Sequence, residues 1–318
     1  MTLTDRTEWF ARCGWGVFCH YLGSEDLSAE EWNAQVDAVD VNALAAQLKS
    51  VGAPYFFITI GQNSGHYLAP NAAYDRLTGI TPSKCSRRDL VADLYDALHP
   101  LGIELLVYLP SGAPAADPLA VERLGWEWGF EGGWQNAWGT RRTGKRLAEF
   151  QLKWEEIIRE WSLRWGEKVR GWWIDGCYFA DEMYRCPDAP NFFSFAEAMR
   201  EGNPDSIVAF NPGVIVPIIC HSEAEDYTAG EISDALPECK GAWVHRGDHR
   251  VRYHILSYLG SSWCSGEEPR FPDELVVGYT RHIRSQGGVI TWDVPIQKSG
   301  LIPEAFLTQL RRIGETVR

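Results

Sequence analysis

The sequence predicts an α/β fold, a single TIM-like (β/α)8 barrel. About eight short apolar segments alternate with amphipathic helical stretches along its 318 residues. Most of these segments are continuously apolar, as is typical of parallel strands buried on both faces. The series ends on a helix, and no G-x-G-x-x-G or P-loop sequence is present, so a closed barrel is favoured over an open nucleotide-binding sheet. We therefore expect no nucleotide or other cofactor.

The expected strands share short length, β-branched or aromatic residues and glycine or polar residues at their ends. They span residues 14–22, 53–60, 103–109, 171–175, 206–213, 225–231, 255–263 and 289–296. The sixth, EDYTAGE, is too polar for a buried strand and is compatible with a short strand or a turn.

The expected helices follow the strands and carry start and stop residues. They span residues 28–52, 86–102, 144–166, 191–204, 272–288 and 303–317. Ser28 and Glu31 have the spacing of a capping box, and glycines at 52 and 102 suit helix ends. A loop rich in Gly and Trp, 110–142, precedes the long third helix. No linker or low-complexity segment divides the chain, so we expect one domain over 1–318.

Composition excludes several partners. Forty-three acidic residues against 30 basic ones give a formal net charge of −13, without a run of Lys or Arg. Nucleic acid and anionic membranes are therefore unsuitable partners. The N-terminus lacks a signal-peptide pattern and no segment has eighteen uninterrupted apolar residues, so we expect a cytoplasmic protein. The oligomeric state stays open, with a homo-oligomer among the options.

Metal binding is not expected. The eight cysteines are scattered without a C-x-x-C pair, which favours reduced thiols. His245, His249 and His254 lie close in sequence, but their spacing matches no familiar ligand pattern. A hydrolase that uses a metal and acts on a substrate other than a sugar is accordingly the weakest alternative.

Aromatic residues are more numerous than a core of this size requires. The chain has 15 Trp and 12 Tyr, and many of the tryptophans fall near strand ends or in loops. These are Trp15, Trp126, Trp128, Trp134, Trp138, Trp172, Trp173, Trp243, Trp263 and Trp292. Flat aromatic faces stack on sugar rings, and they also fill cores, so each tryptophan has both interpretations.

Polar groups follow the expected strands, where a barrel builds its site. In chain order they are His20, Tyr21, Gln62, Asn63, Tyr108, Asp175, Asn211, Asp226, Glu231, Trp263, Trp292 and Asp293. Convergent hydrogen-bonding and aromatic groups suit a carbohydrate pocket. For His20 a core position is an equal alternative, for Gln62 and Asn63 a turn, and for Tyr108, Asn211, Trp263 and Asp293 packing or capping.

Two carboxylates on different strands suit glycoside hydrolysis, and Asp175 and Glu231 are the natural pair. Asp175 ends the apolar segment GWWID, where an N-cap is the alternative role. For Glu231 the alternative is an exposed loop acid, since Glu223, Glu225 and Asp226 are close in sequence. A bare carboxylate after a buried strand predicts a polar pocket that receives it.

A series of motifs resembles the glycoside hydrolase family 29 α-L-fucosidases. WFARCGWGVFCHYL is similar to the family's first-strand motif, GAPYFFITIGQNSGH to its second strand, and RDLVADLYDALHPLGIELLVYL to its next helix and third strand. VRGWWIDG, DYTAGE, SSWCSG and SQGGVITWDVPIQKSGLIPEAFLTQLRRIGE resemble later segments. The resemblance runs in order from Trp9 to the C-terminus.

This resemblance implies a retaining mechanism and release of a terminal sugar. Asp175 matches the family's nucleophile, Trp173 its sugar-contacting tryptophan, and Glu231 the acid/base of some members. It also implies a small carbohydrate or glycoside substrate.

The chain departs from the family in its sugar-binding residues. Gln62 and Asn63 stand where the family has paired histidines, and Gly213 where it has an arginine. The sequence also stops after the last barrel helix, without the family's C-terminal β-sandwich. Three hypotheses remain: an exo-glycosidase for α-L-fucose or a close analogue, one for a different sugar, and a non-catalytic carbohydrate-binding barrel.

Overall fold

A computed structural model describes residues 5–127 and 146–317. Nine strands lie in this part of the chain. They are β1 (Trp15–Cys19), β2 (Tyr55–Thr59), β3 (Glu104–Pro110), β4 (Gly171–Asp175), β5 (Ile207–Phe210), β6 (Trp243–Arg246), β7 (His249–Arg252), β8 (His254–Tyr258) and β9 (Val289–Asp293). Seven form one curled parallel sheet in the order β5-β4-β3-β2-β1-β9-β8, and β6 pairs with β7 in a separate antiparallel hairpin.

The helices connect the strands and cover the outer face of the sheet. They are α1 (Glu8–Cys13), α2 (Ala29–Asp37), α3 (Val41–Val51), α4 (Ala72–Thr78), α5 (Leu90–Leu98), α6 (Pro118–Leu124), α7 (Ala148–Trp165), α8 (Ala180–Met183), α9 (Phe192–Arg200), α10 (Asp273–Ser285) and α11 (Glu304–Thr316). The capping box of Ser28 and Glu31 is present at α2.

Successive side chains of each strand point to opposite faces of the sheet, which divides the core into two parts. In β4, Trp172 and Ile174 pack outward against the helices, whereas Trp173 packs inward with residues of the other strands. The inward cluster includes Phe18, Phe57 and side chains of β3, β5 and β8. Because both faces are covered, every residue of β1 and β2 is buried, which explains their continuously apolar sequences.

The predicted count of eight strands is not observed, because residues 226–232 occupy the remaining position of the barrel without forming a regular strand. On one side Asp226 N donates to Val208 O of β5; on the other, Ile232 N donates to Leu256 O of β8. Seven strands and this irregular segment fit a TIM-like barrel.

Two residues explain why the 226–232 segment is irregular. The Thr228 hydroxyl donates to His254 O and accepts from His254 N, so a side chain replaces backbone partners of β8. Gly230 has φ +61°, and a Cβ built there would lie 1.9 Å from His254 O. Only glycine fits that approach, and the left-handed residue breaks the extended backbone directly before Glu231.

Several local predictions need correction. The helical region from Ser28 to Gly52 is two helices, α2 and α3, and the helix expected from Ser86 begins at α5 with Asp89 as its cap. The sequence analysis predicts no strand in the region of the β6–β7 hairpin. Its Trp243 ring contacts the guanidinium groups of Arg250 and Arg252, whose central carbons lie 4.3 and 3.9 Å from the ring centre.

The remaining expectations concern loop tryptophans, metal ligands and membrane-spanning segments. Trp128, Trp134 and Trp138, with part of the 110–142 loop, lie outside the described residues. Within 5–127 and 146–317, no group of three His, Cys, Asp or Glu side chains could hold a metal. In the same residues, no helix is both long and apolar enough to cross a membrane.

Asp226 holds the irregular segment to β5, which makes it a test of this barrel position. Its carboxylate pairs with Arg200 and accepts from Val208 N at 2.9 Å, and both side chains of the pair are largely buried. We expect Asp226→Ala to destabilise the protein by about 2–4 kcal/mol, because the largely buried Arg200 guanidinium loses its carboxylate partner. Urea unfolding measures this. Asp248→Ala, in the exposed hairpin turn, should change stability by less than ~0.5 kcal/mol; equal effects would contradict the assignment.

Candidate active site

A cavity of about 110 Å³ opens among the carboxyl ends of the parallel strands. Seven residues that the sequence analysis singled out and two further apolar residues surround it. They are Phe18, His20, Gln62, Tyr108, Trp173, Asp175, Glu231, Leu256 and Trp263. Side chains from six different parts of the sequence therefore meet at one end of the barrel, as the fold requires of a site.

Asp175, the last residue of β4, accepts four hydrogen bonds. Its Oδ1 accepts from Gly176 N at 2.7 Å, Asn211 Nδ2 at 2.8 Å and the Tyr178 hydroxyl at 3.3 Å. Its Oδ2 accepts only from the Tyr108 hydroxyl, at 2.6 Å, among the described residues. The two oxygens therefore differ in how much hydrogen-bonding capacity remains for a ligand.

Asn211, directly after β5, joins the two carboxylates. Its Nδ2 donates to Asp175 Oδ1 and to Glu231 Oε2, at 2.8 and 2.6 Å. Gly213 N donates to its Oδ1 at 3.0 Å, which fixes the orientation of the amide. The two carboxylate oxygens therefore cannot be farther apart than the sum of the two Nδ2 distances.

Glu231 holds its proton more tightly than an ordinary glutamate. Burial, and then the negative charge of Asp175, raise its pKa to about 7, although the hydrogen bond from Asn211 acts in the opposite direction. Near neutral pH the pair therefore offers a protonated Glu231 beside Asp175. A glutamic acid whose pKa lies near 7 suits general acid catalysis.

Tyr108 connects Asp175 to Gln62. The Gln62 side-chain amide donates to the Tyr108 hydroxyl at 2.9 Å, and that hydroxyl donates to Asp175. Burial and the charge of Asp175 raise the pKa of Tyr108 well above its usual value, so it stays a donor. The ring stacks on Trp173, with centroids 5.2 Å apart. Gln62 thus has a structural partner as well as a place on the cavity wall.

His20 is a neutral polar group of the cavity wall. Burial lowers its pKa to about 3, and its Nδ1 lies 2.7 Å from the Thr59 hydroxyl. The ring packs against Phe18 and Tyr108. A neutral imidazole fixed on one nitrogen can use the other to bond a hydroxyl without changing charge.

The three acids that compete with Glu231 in sequence lie elsewhere. Glu223 is exposed and pairs with Arg246, and Asp226 pairs with Arg200. Glu225 is fully buried; burial raises its pKa to about 8, and it accepts from the backbone N–H groups of His221 and Phe210. None of these three lines the cavity.

Six of the predicted strand-end residues do not line the cavity. Two of them, Asn211 and Asp226, are described above, and the other four are Tyr21, Asn63, Trp292 and Asp293. Tyr21 is buried and donates to Lys298 O, while the Asn63 carbonyl accepts from Ala116 N. Trp292 is buried and donates to Thr280. Asp293 is fully buried, where desolvation raises its pKa well above the usual value, and it accepts from Cys264 N at 2.7 Å. Asp293 therefore supports the loop that carries Trp263.

Three residues of the site were not predicted. Phe18 and Leu256 face inward from the middle of strands, and only the register of the barrel reveals which apolar residues reach the cavity. Tyr178 follows Asp175 by three residues and bonds to it. A tyrosine in the turn after a strand-end carboxylate was the available sequence signal.

Solved structures with a similar fold include glycoside hydrolases. An endo-fucoidan hydrolase of glycoside hydrolase family 107 has a TM-score of 0.74 at 19% identity, covering 97% of this chain and 53% of its own. An alpha-L-fucosidase from Lactobacillus casei, in complex with α-L-fucose product, has a TM-score of 0.66 at 16% identity, covering 99% of this chain and 98% of its own. Alpha-L-fucosidase isoenzyme 1 from Paenibacillus thiaminolyticus gives 0.65 at 16%, covering 98% and 75%.

At these identities the similarity shows a fucosidase-like glycoside hydrolase fold, without singling out family 29. The chain spans about half the length of the family 107 structure with a TM-score of 0.74. No family model matches the sequence, and no curated protein matches it.

The raised pKa of Glu231 predicts a stability cost that depends on pH. The folded state holds this proton more tightly than the unfolded chain, in which the pKa of a glutamate is near 4.5. The corresponding stability is complete below about pH 4.5 and is lost as pH rises through 7. We expect Glu231→Gln to be more stable than wild type at pH 8 by about 1–3 kcal/mol, with a difference that shrinks towards pH 5.

Urea unfolding of both proteins at pH 5, 6, 7 and 8 measures this difference. Glu201→Gln, which removes an exposed acid after α9, is the matched control and should give no such pH dependence. A Glu231→Gln effect that is constant with pH would contradict the raised pKa.

Proposed function

We propose that the chain is a retaining exo-glycosidase that releases a terminal sugar, α-L-fucose or a close analogue, with residues 1–318 acting as one catalytic domain. One observation carries the proposal: a single nitrogen of Asn211 donates to both Asp175 and Glu231. The two donor distances, 2.8 and 2.6 Å, keep Asp175 Oδ1 within 5.4 Å of Glu231 Oε2. A pair of carboxyl groups with their nearer oxygens this close agrees with the ~5–5.5 Å separation in retaining enzymes rather than the ~6.5–9.5 Å of inverting ones. The fucosidase-like fold supports the same reaction class.

In the first step, Glu231 donates its proton to the glycosidic oxygen as the bond from that oxygen to the anomeric carbon breaks. Asp175 forms a new bond to the anomeric carbon, giving a glycosyl ester. The hydrogen bonds to Asp175 suggest which oxygen reacts. Oδ1 accepts three bonds and has little capacity left, whereas Oδ2 has one. We therefore assign attack to Oδ2.

In the second step, a water molecule attacks the anomeric carbon and the Glu231 carboxylate takes its proton. The ester bond to Asp175 breaks and the carboxylate returns. Negative charge then reappears on Asp175, where Gly176 N and Asn211 already donate to Oδ1. These donors need no rearrangement, which is how fixed dipoles lower a barrier.

The cavity favours one neutral sugar ring over a charged chain. Its volume is small, and no Lys or Arg lines it in the described part of the chain. Trp173, Phe18, Leu256 and Trp263 supply apolar surface for the faces of a ring. These features support removal of a terminal sugar without sulfate or carboxylate groups.

A different sugar specificity is the second candidate function, and Gln62 is the observation that favours it. An amide that stands in the place of a histidine, and that already donates to Tyr108, cannot offer a sugar the same contacts. A panel of aryl glycosides decides between the two. A large preference for α-L-fucosides would make the specificity argument wrong while leaving the mechanism intact.

Removing the proposed nucleophile should leave a vacancy that a small anion can fill. We expect Asp175→Gly to lose at least ~1,000-fold in kcat, and azide to restore turnover with a glycosyl azide as product. Glu231→Ala should slow substrates with poor leaving groups far more than activated aryl glycosides. Product analysis and a leaving-group series measure these effects. Full activity of the Asp175→Gly protein would overturn the proposal, and sugar binding without any turnover in wild type would favour a non-catalytic barrel.

Asn211 should tune the acid. Its hydrogen bond favours ionised Glu231, so Asn211→Ala should raise the pKa of Glu231 further above 7. Asp175 and its hydrogen bonds from Tyr108 and Tyr178 are left in place by this substitution. We expect the basic limb of the kcat/KM profile to move upward by about one pH unit.

Asn203→Ala is the control for this profile. Asn203 is also buried and lies before β5, at the end opposite Asn211, where its amide donates to Val169 O. Its loss should lower stability and leave the pH profile unchanged. An unshifted profile in Asn211→Ala would contradict the role of the shared amide.

A further inference from the structure

Six consecutive apolar residues lie on a loop at the catalytic end of the barrel. This apolar loop consists of Val214, Ile215, Val216, Pro217, Ile218 and Ile219. Val214 and Val216 are 41% and 51% exposed, among the most exposed large apolar side chains of the described residues. Loops that only connect elements are usually polar on their outer side, and a contiguous exposed apolar patch commonly marks a binding surface.

Both ends of the apolar loop are fixed to the strands that carry the catalytic pair. At its start, Gly213 N donates to Asn211 Oδ1 at 3.0 Å. At its end, His221 Nε2 lies 3.0 Å from the carbonyl of Cys177, two residues after Asp175. Arg185 also bonds the backbone carbonyl of His221. The position of the loop is therefore set by the ends of β4 and β5.

The loop begins beside the proposed acid and outside the sugar cavity. Gly213 N bonds the Asn211 amide, and the same amide bonds Glu231, so Val214 follows a residue only two hydrogen bonds from the Glu231 carboxylate. No residue of 212–220 lines the cavity. Because the acid protonates the leaving oxygen, the leaving group departs beside Glu231, which is the neighbourhood in which the loop begins.

We propose that the apolar loop is the binding site for the leaving group and that it selects glycosides of apolar alcohols or phenols rather than saccharides. The inference rests on the proposed function and names its substrate class. Side chains without hydrogen-bonding groups cannot replace the water around the hydroxyls of a second sugar. Alkyl or aromatic surface gains by contact with them. Arg185 and Arg246, described residues near the loop's C-terminal end, already pair with Asp181 and Glu223, so neither is a free cation for a sulfated chain.

The test uses methyl, butyl and octyl glycosides of the sugar that the wild type hydrolyses, below their micelle concentrations. Their leaving alcohols have similar acidity, so the series varies apolar length alone. We expect kcat/KM to rise at least ~10-fold from methyl to octyl, since a partly buried alkyl chain gains binding with each methylene. The double variant Val214→Ser with Val216→Ser should lose most of that rise, because its loss in kcat/KM should be much larger on the octyl glycoside than on the methyl glycoside.

The matched control removes apolar side chains of similar exposure far from the site. Leu152 and Leu163 on α7 are 53% and 58% exposed, and Leu152→Ser with Leu163→Ser should keep the full rise. Hydrolysis that does not depend on chain length would overturn this inference alone, as would an unchanged rise in the loop variant. A loop variant that only changes the sedimentation coefficient would show a self-association surface instead. Absence of hydrolysis of every glycoside by wild type would overturn the proposed function and this inference with it.

Discussion

The site depends on one shared donor, the side-chain amide of Asn211. It gives one N–H to Asp175 and one to Glu231, so two acids can sit close together in a largely buried cavity. Repulsion between them is relieved because Glu231, with a pKa raised to about 7, keeps its proton near neutral pH. The amide can serve both acids only in one orientation, and Gly213 N sets that orientation by donating to its oxygen. A backbone contact outside the cavity therefore fixes the geometry inside it.

The irregular barrel position is the structural counterpart of this arrangement. A regular strand between β5 and β8 would use its backbone groups in two ladders, and its side chains would alternate strictly in and out. In the 226–232 segment, Thr228 substitutes a side chain for ladder partners and Gly230 turns the backbone through a left-handed conformation. Glu231 then presents its carboxyl to the cavity while its backbone still bridges to Leu256 of β8. The backbone of residues 226–232 is therefore irregular next to Glu231, whose side chain faces the cavity. Local exceptions to folding rules commonly occur at functional sites.

The sequence predicted the repeating elements better than the inward-facing residues. Continuous apolar runs such as β1 and β2 follow from burial on both faces, so their strand character was accessible from composition alone. Asp175 was identifiable because a carboxylate after such a run is energetically unusual. Asp293 follows a similar run, yet it is buried beneath the Trp263 loop and bonds Cys264 N. Which strand-end side chain opens to the cavity depends on register and on the covering loops, and neither is encoded in a local pattern.

Glu225 and Glu231 show why a raised pKa alone does not identify a catalytic acid. Both are in the same short segment, and burial raises the pKa of both, to about 8 and about 7. The difference lies in their partners. Glu225 accepts from the backbone N–H groups of His221 and Phe210, and it does not line the cavity of the candidate site. Glu231 has a side-chain partner, a neighbouring carboxylate and an open side towards the cavity. Its proton can therefore be given to a bound molecule and recovered, whereas that of Glu225 serves the fold.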